Sequence, residues 1–276
     1  MAVAILLVLV AIMPAAMAQN LRAVQVIVSQ SEDGPPLEGG QSLIAGESVF
    51  FSFQLENYKT GASGKVQIAG HVQAFDPRGT PIMPVDEVVI GTSLSEEDKD
   101  WKPKLRSQFQ VPPISPPGMY RIRYDAADQQ TKQTISGETS FKVAGNDVAP
   151  SATLVIRDPA FYRTQDDETA LKIPAYRAGD MVWMRFYITG YKFGEQNAID
   201  VAYDVTVFNA AGKQLFSQEN AAVEKSQAFY PQPWVPGAFN LTLQSNMNPG
   251  AYTIEITARD AIGNQTATAR ADFRVE

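Results

Sequence analysis

The sequence predicts an all-β chain of two tandem antiparallel β-sandwiches, and three observations predict it. Apolar residues alternate with polar ones over short runs, clusters of Gly, Pro, Asn and Asp cut the runs apart, and one unit is written twice. In Val49-Phe50-Phe51-Ser52-Phe53-Gln54-Leu55 the apolar side chains fall on every second position. Val66, Ile68, Val72 and Ala74 follow the same rule, as do Tyr252, Ile254 and Ile256. Period two is the mark of a strand with one face in a core. No stretch shows a convincing helical period. Residues 95–100 can form at most one helical turn, with Ser95 at its start and Asp98 three positions on.

The duplication is read directly. Ala45-Gly46-Glu47 returns as Ala178-Gly179-Asp180, 133 positions later. Val49, Phe51, Phe53, Leu55 and Tyr58 match Val182, Met184, Phe186, Ile188 and Tyr191 at the same spacing. Val72 and Phe75 match Val205 and Phe208, and the turn Asp76-Pro-Arg-Gly79 matches Asn209-Ala-Ala-Gly212. One residue is then lost before Phe109, which matches Leu241 as Val111 matches Leu243. Pro117-Gly118-Met119-Tyr120 matches Pro249-Gly250-Ala251-Tyr252, and Phe141-Lys142-Val143 matches Phe273-Arg274-Val275. A period this long describes whole domains and not a solenoid. The boundaries expected are residues 19–145 for the first sandwich, a linker at 146–150 where Asn, Asp and Pro cluster, and 151–276 for the second. Leu21, Val24, Val26 and Val28 suggest an opening strand that Gly34-Pro35-Pro36 ends.

Residues 1–18 carry the parts of a cleaved signal peptide. Positions 2–13 are apolar and uncharged, Pro14 breaks the run, and Ala16-Met17-Ala18 offers a small-x-small cleavage site. The apolar run is short of what a hydrocarbon core of about 30 Å requires. The mature chain is therefore expected to be secreted or periplasmic, and not membrane-spanning after cleavage. An exported protein without a single Cys must stand on its cores, which suits a bacterial envelope protein better than a disulfide-stapled module.

The tract Pro-Gly-x-Tyr, alternating apolar residues, an Asp-containing turn and a final Phe-x-Val resembles the closing strands of bacterial immunoglobulin-like and fibronectin type III-like domains. It reads Pro117-Gly-Met-Tyr120 through Phe141-Lys-Val143, and again Pro249-Gly-Ala-Tyr252 through Phe273-Arg-Val275. The Cys–Trp–Cys pattern of antibody domains is absent. The resemblance implies a binding, spacer or adhesion module outside the cytoplasm.

Composition excludes much chemistry. Without Cys there is no thiolate metal site and no Cys nucleophile, and one His rules out any centre built on several imidazoles. A net charge of −7 opposes nucleic-acid binding, which needs a basic face. His71 is expected on the outer face of its strand, where the second copy has Asp204. Glu96, Glu97, Asp98 and Asp100 form one acidic run and Asp166, Asp167 and Glu168 another. Both lie in polar segments, whereas a catalytic carboxylic acid needs an apolar pocket to raise its pKa. Neither has the spaced acidic pattern of a calcium loop. No catalytic residue, metal site or cofactor is expected. The alternative is a carbohydrate-active hydrolase using a carboxylate pair. A chaperone-like sandwich offering a strand edge has no signature here.

Two aromatic groups are candidates for binding. Phe229-Tyr230-Pro231-Gln232-Pro233-Trp234 is a Pro-stiffened loop carrying three rings. Trp183, Arg185 and Tyr187 share the outward face of one strand, where the first copy has Phe50, Ser52 and Gln54. These residue types concentrate at interfaces and also stack on sugars. They can equally be covered, the loop by the neighbouring sandwich and the row by residues 161–177. The expectation is a non-enzymatic envelope binding or spacer protein whose partner is an envelope protein or polysaccharide.

Overall fold

The computed structural model describes residues 20–98 and 100–276. The expected signal peptide lies outside the described residues. Among the described residues the chain forms sixteen strands and three short 3-10 turns. No described helix is long and apolar enough to cross a membrane.

The first unit contains β1 (Arg22–Ser29), β2 (Leu43–Ile44), β3 (Ser48–Glu56), β4 (Lys65–Phe75), β5 (Asp86–Ser93), β6 (Lys104–Gln110), β7 (Gly118–Asp128) and β8 (Thr134–Ala144). They make a three-stranded sheet, β1-β3-β6, and a five-stranded sheet, β2-β8-β7-β4-β5. The second unit contains β9 (Val155–Tyr162), β10 (Ala175–Tyr176), β11 (Met181–Thr189), β12 (Ile199–Asn209), β13 (Gln214–Ser226), β14 (Val235–Thr242), β15 (Gly250–Asp260) and β16 (Gln265–Val275). Its sheets, β9-β11-β14 and β10-β16-β15-β12-β13, repeat the first unit strand for strand. All pairings are antiparallel except the short β2–β8 and β10–β16 pairs, which are parallel. This is an immunoglobulin-like sandwich made twice.

The alternation read from the sequence is the alternation of burial. Val49, Phe51, Phe53 and Leu55 on β3 are buried, and so are Val182, Met184, Phe186 and Ile188 on β11. Tyr120, Ile122, Phe141 and Val143 close the first core as Tyr252, Ile254, Phe273 and Val275 close the second. Burying each such side chain contributes about 1.5–3 kcal/mol relative to exposure. Phe75 and Phe208 match between the copies but lie on the outward parity and are only half-buried. Arg123 covers the Phe75 ring at 5.0 Å.

The opening strand forms, with a correction to its parity. Gln25 adopts a left-handed φ of 48° and the pairing with β3 slips between Val24 and Ile27. This bulge turns Ala23 and Val26 toward the core and leaves Val24 opposite Gln54, on the outer side. Asp158 repeats the bulge in β9 with φ 50°.

The recurring tripeptide is a turn. Gly46 and Gly179 both have φ 90°, a conformation a side chain would strain. The acidic residue that follows closes the turn: Glu47 accepts from the Ile44 amide and Asp180 from the Arg177 amide. The Pro-Gly-x-Tyr motif is a tyrosine corner. Tyr120 donates to the Pro116 carbonyl at 2.7 Å, and Tyr252 to the Asn248 carbonyl at 2.6 Å. Tyr252→Phe is expected to cost about 1 kcal/mol, read as a lower denaturant midpoint at unchanged slope.

The single helical turn expected at 95–100 is the 3-10 turn Glu96–Asp98, with Ser95 donating to the Asp98 carboxylate at 2.8 Å. Residues 146–150 carry no strand. Val148 within them is 2% exposed, and Asp147 pairs with Arg78 of the first unit at 3.6 Å.

Candidate functional site

The Pro-rich loop joins β13 to β14 and splits its three rings between different tasks. Trp234 is buried and meets Tyr187 edge-on at 6.4 Å, so the loop and the outward row of β11 touch. Tyr191, the partner of Tyr58 in the repeat, donates to the Gln232 carbonyl at 2.5 Å. Thr189 donates to the Pro233 carbonyl. Phe229 is 50% exposed, and Asn197 holds its carbonyl at 2.6 Å.

Tyr230 does something else. Its side chain leaves the second unit and enters the hydrophobic core of the first, where it is 7% exposed. Its hydroxyl donates to Asp76 at 3.0 Å. Asp76 is itself buried and organises the β4–β5 turn by accepting the Arg78 and Thr80 amides on its other oxygen. Asn209 holds the matching turn of the second unit through Ala211 and Lys213, but it is not buried. The carboxylate that replaces it in the first unit has a second oxygen free to receive Tyr230. Burial, reinforced by the neighbouring Asp76 charge, pushes the Tyr230 phenol well above its ordinary range. Burial raises Tyr191 in the same way and pushes Tyr176 up to about 12.

These shifts have a sign. A phenol whose folded pKa is raised stabilises fully below its unfolded value near 10, and that stability is lost as pH rises through the folded pKa. Unfolding followed by tryptophan fluorescence is therefore expected to show stability falling steadily above pH 10.

The outward row of β11 is half-buried. Trp183 lies opposite Tyr162 on β9. Arg185 stacks on the Tyr162 ring at 4.0 Å and donates to the carbonyls of Gln165 and Asp167 at 2.7 and 2.5 Å. The arginine thus pins the lead-in segment across its own strand. Of the six expected binding residues, Phe229 is the most open, Trp183, Arg185 and Tyr187 are half-buried, and Tyr230 and Trp234 are spent on packing within the chain.

The same outward face in the first unit is built differently. On it Ser29 and Ser52 occupy the positions of Tyr162 and Arg185, while on the inward side of β6 Ser107 stands where β14 has the core residue Phe239. The segment Glu32–Gly34 arches over this face, tied down by ion pairs from Asp33 to Lys104 and Arg106. Beneath it lies a cavity of about 290 Å³, lined among others by Phe50, Ser52, Asp86 and Ser107. Ser107 donates to Asp86 at 2.6 Å, and Ser29 to the Ser31 carbonyl at 2.8 Å. Reading each copy for its own motifs misses this cavity. Comparing matched positions pair by pair finds it, because two large outward side chains and one inward ring become serines.

Four carboxyl groups are held below the ordinary range. Asp33 is lowered by Lys104 and Arg106, and Glu56 by Lys102 and Arg22. Asp167 is lowered by the Thr164 hydroxyl and amide, and Asp204 by Arg259. His71 is exposed as its parity predicts and contacts Asp125 at 3.0 Å. No cluster of three His, Cys, Asp or Glu able to hold a metal occurs among the described residues.

No protein-family model matches the chain, and no curated protein matches it. Among solved structures, it is similar at 10% identity to the C-terminal domain of the antigen I/II-family protein AspA of Streptococcus pyogenes. That match covers 94% of this chain and 99% of the other, with a TM-score of 0.32. It is similar at 12% identity to a family 123 glycoside hydrolase from Clostridium perfringens, with a TM-score of 0.31. That match spans 45% of this chain and only 27% of the hydrolase.

Proposed function

We propose that this chain is a non-enzymatic protein of the bacterial cell envelope, secreted or periplasmic. In this reading it is a stiff two-unit spacer that presents a binding surface to an envelope protein or polysaccharide. The observation that carries the reading is the seating of Tyr230 of the second unit in the core of the first. A flexible tether between independent domains needs no such contact, whereas a spacer that fixes distance and angle does. Val148 and the Arg78–Asp147 pair hold the linker as well.

Within this reading Phe229, Trp183 and Tyr187 face the partner, and the other three candidates shape the surface behind them. The test is capture of a partner from an envelope extract on immobilised residues 20–276, beside Phe229→Ala and Trp183→Ala. A protein or polysaccharide retained by the wild type, and at least about tenfold less by either variant, supports the reading. Equal retention by all three removes these rings. Hydrolysis of a polysaccharide by the purified chain would overturn the non-enzymatic assignment.

A further inference from the structure

We infer that the cavity of the first unit binds a neutral polyhydroxylated ligand, a single sugar ring of a glycan. The inference does not depend on the spacer reading, because a stiff rod can carry an occupied or an empty cavity. Its starting point is the comparison the molecule makes with itself. The two units share topology, register and bulge, so corresponding positions have the same surroundings. In the second unit the outer face of the three-stranded sheet is filled by Arg185 stacked on Tyr162, and on the inner side Phe239 packs on Phe216 at 6.1 Å within the core. In the first unit each of these is a serine, and the cover segment is still held in place by Asp33. Space has been opened without removing its lid.

The walls define the occupant. Ser29, Ser52 and Ser107 supply hydroxyls that both donate and accept, Asp86 and Glu32 supply acceptors, and Lys104 and Arg106 supply donors. Phe50 and Ile27 supply an apolar side. A sugar ring needs this mixture, with hydroxyls at its rim and C–H groups on its face. An anion meets three carboxylates against two cations already paired with Asp33, and a cation meets Lys104 and Arg106 in the wall. The volume of about 290 Å³ is at the lower end of ligand pockets, suited to one ring.

The test is a protein-observed NMR titration of residues 20–276 with methyl α-glucoside, methyl α-mannoside and methyl β-N-acetylglucosaminide. Inorganic phosphate and tetramethylammonium serve as charged probes. The expected result is saturable binding of at least one glycoside with a Kd of about 1 mM. The shifts should centre on the amides of residues 29, 52 and 107, and Ser52→Arg, which installs the second unit's side chain, should weaken binding at least about tenfold. Ser107→Phe fills the cavity from the other wall and should do the same. Shifts centred elsewhere, binding of only the charged probes, no binding of any glycoside, or wild-type affinity in both folded variants would each overturn the inference.

Discussion

Replacing Tyr230 with Ala is expected to uncouple the two sandwiches and to destabilise the first by about 3 kcal/mol. The side chain belongs by sequence to the second unit and by packing to the first, where it is 7% exposed. Its removal leaves a void in the core of a unit it is not part of, and strips Asp76 of one buried partner. Scanning calorimetry is expected to show one transition for the wild type and two for this variant, with the first unit melting earlier. Tyr230→Phe keeps the ring and loses only the hydrogen bond to Asp76, for about 1 kcal/mol, and the single transition should persist. A Tyr230→Ala protein that melts as the wild type does would mean the contact carries no stability.

The second large effect is expected at Asp260. This buried carboxylate accepts the Lys192 amide and the Gln265 side chain on one oxygen, and the Ile262 and Gly263 amides on the other. It shapes the β15–β16 hairpin and fastens it to the segment after β11. Alanine leaves four partly buried N–H donors without this acceptor, and a fully buried orphan costs about 1–3 kcal/mol. A loss of about 3–5 kcal/mol is expected for Asp260→Ala, read by denaturant unfolding. Asparagine retains one acceptor oxygen and should fall between. Asp128 plays the same part in the first unit, accepting Lys59, Gln130 and Thr131. Asp128→Ala should mirror the result, and a loss below about 1 kcal/mol in both would contradict the assignment.

Strand positions were legible because burial on one face writes period two into the chain, and the duplication was legible because both cores use matching residues. The Ala-Gly-acid turn and the tyrosine corner could be seen as motifs before their hydrogen bonds were known. The parity of the opening strand was not legible. A bulge at Gln25 moves the apolar set by one residue, and nothing in the residue types around it announces a positive φ. Burial of Tyr230 could not be read either, since an aromatic beside proline reads the same on a ligand platform and in a joint. What decided it was a buried carboxylate 154 positions away. The cavity of the first unit was invisible for the opposite reason: serine is unremarkable until the second unit shows what stands in its place.

The measurement that most directly tests the central claim is the distance distribution between the units. The chain has no Cys, so Val89→Cys and Val223→Cys, both exposed, give two unique spin-label sites, one on each sandwich. Double electron–electron resonance on the labelled protein should give one narrow distance peak, and the same pair in a Tyr230→Ala background should give a broad one. A broad or multiple distribution in the chain with Tyr230 intact would contradict the stiff joint, and with it the reading of this protein as a spacer.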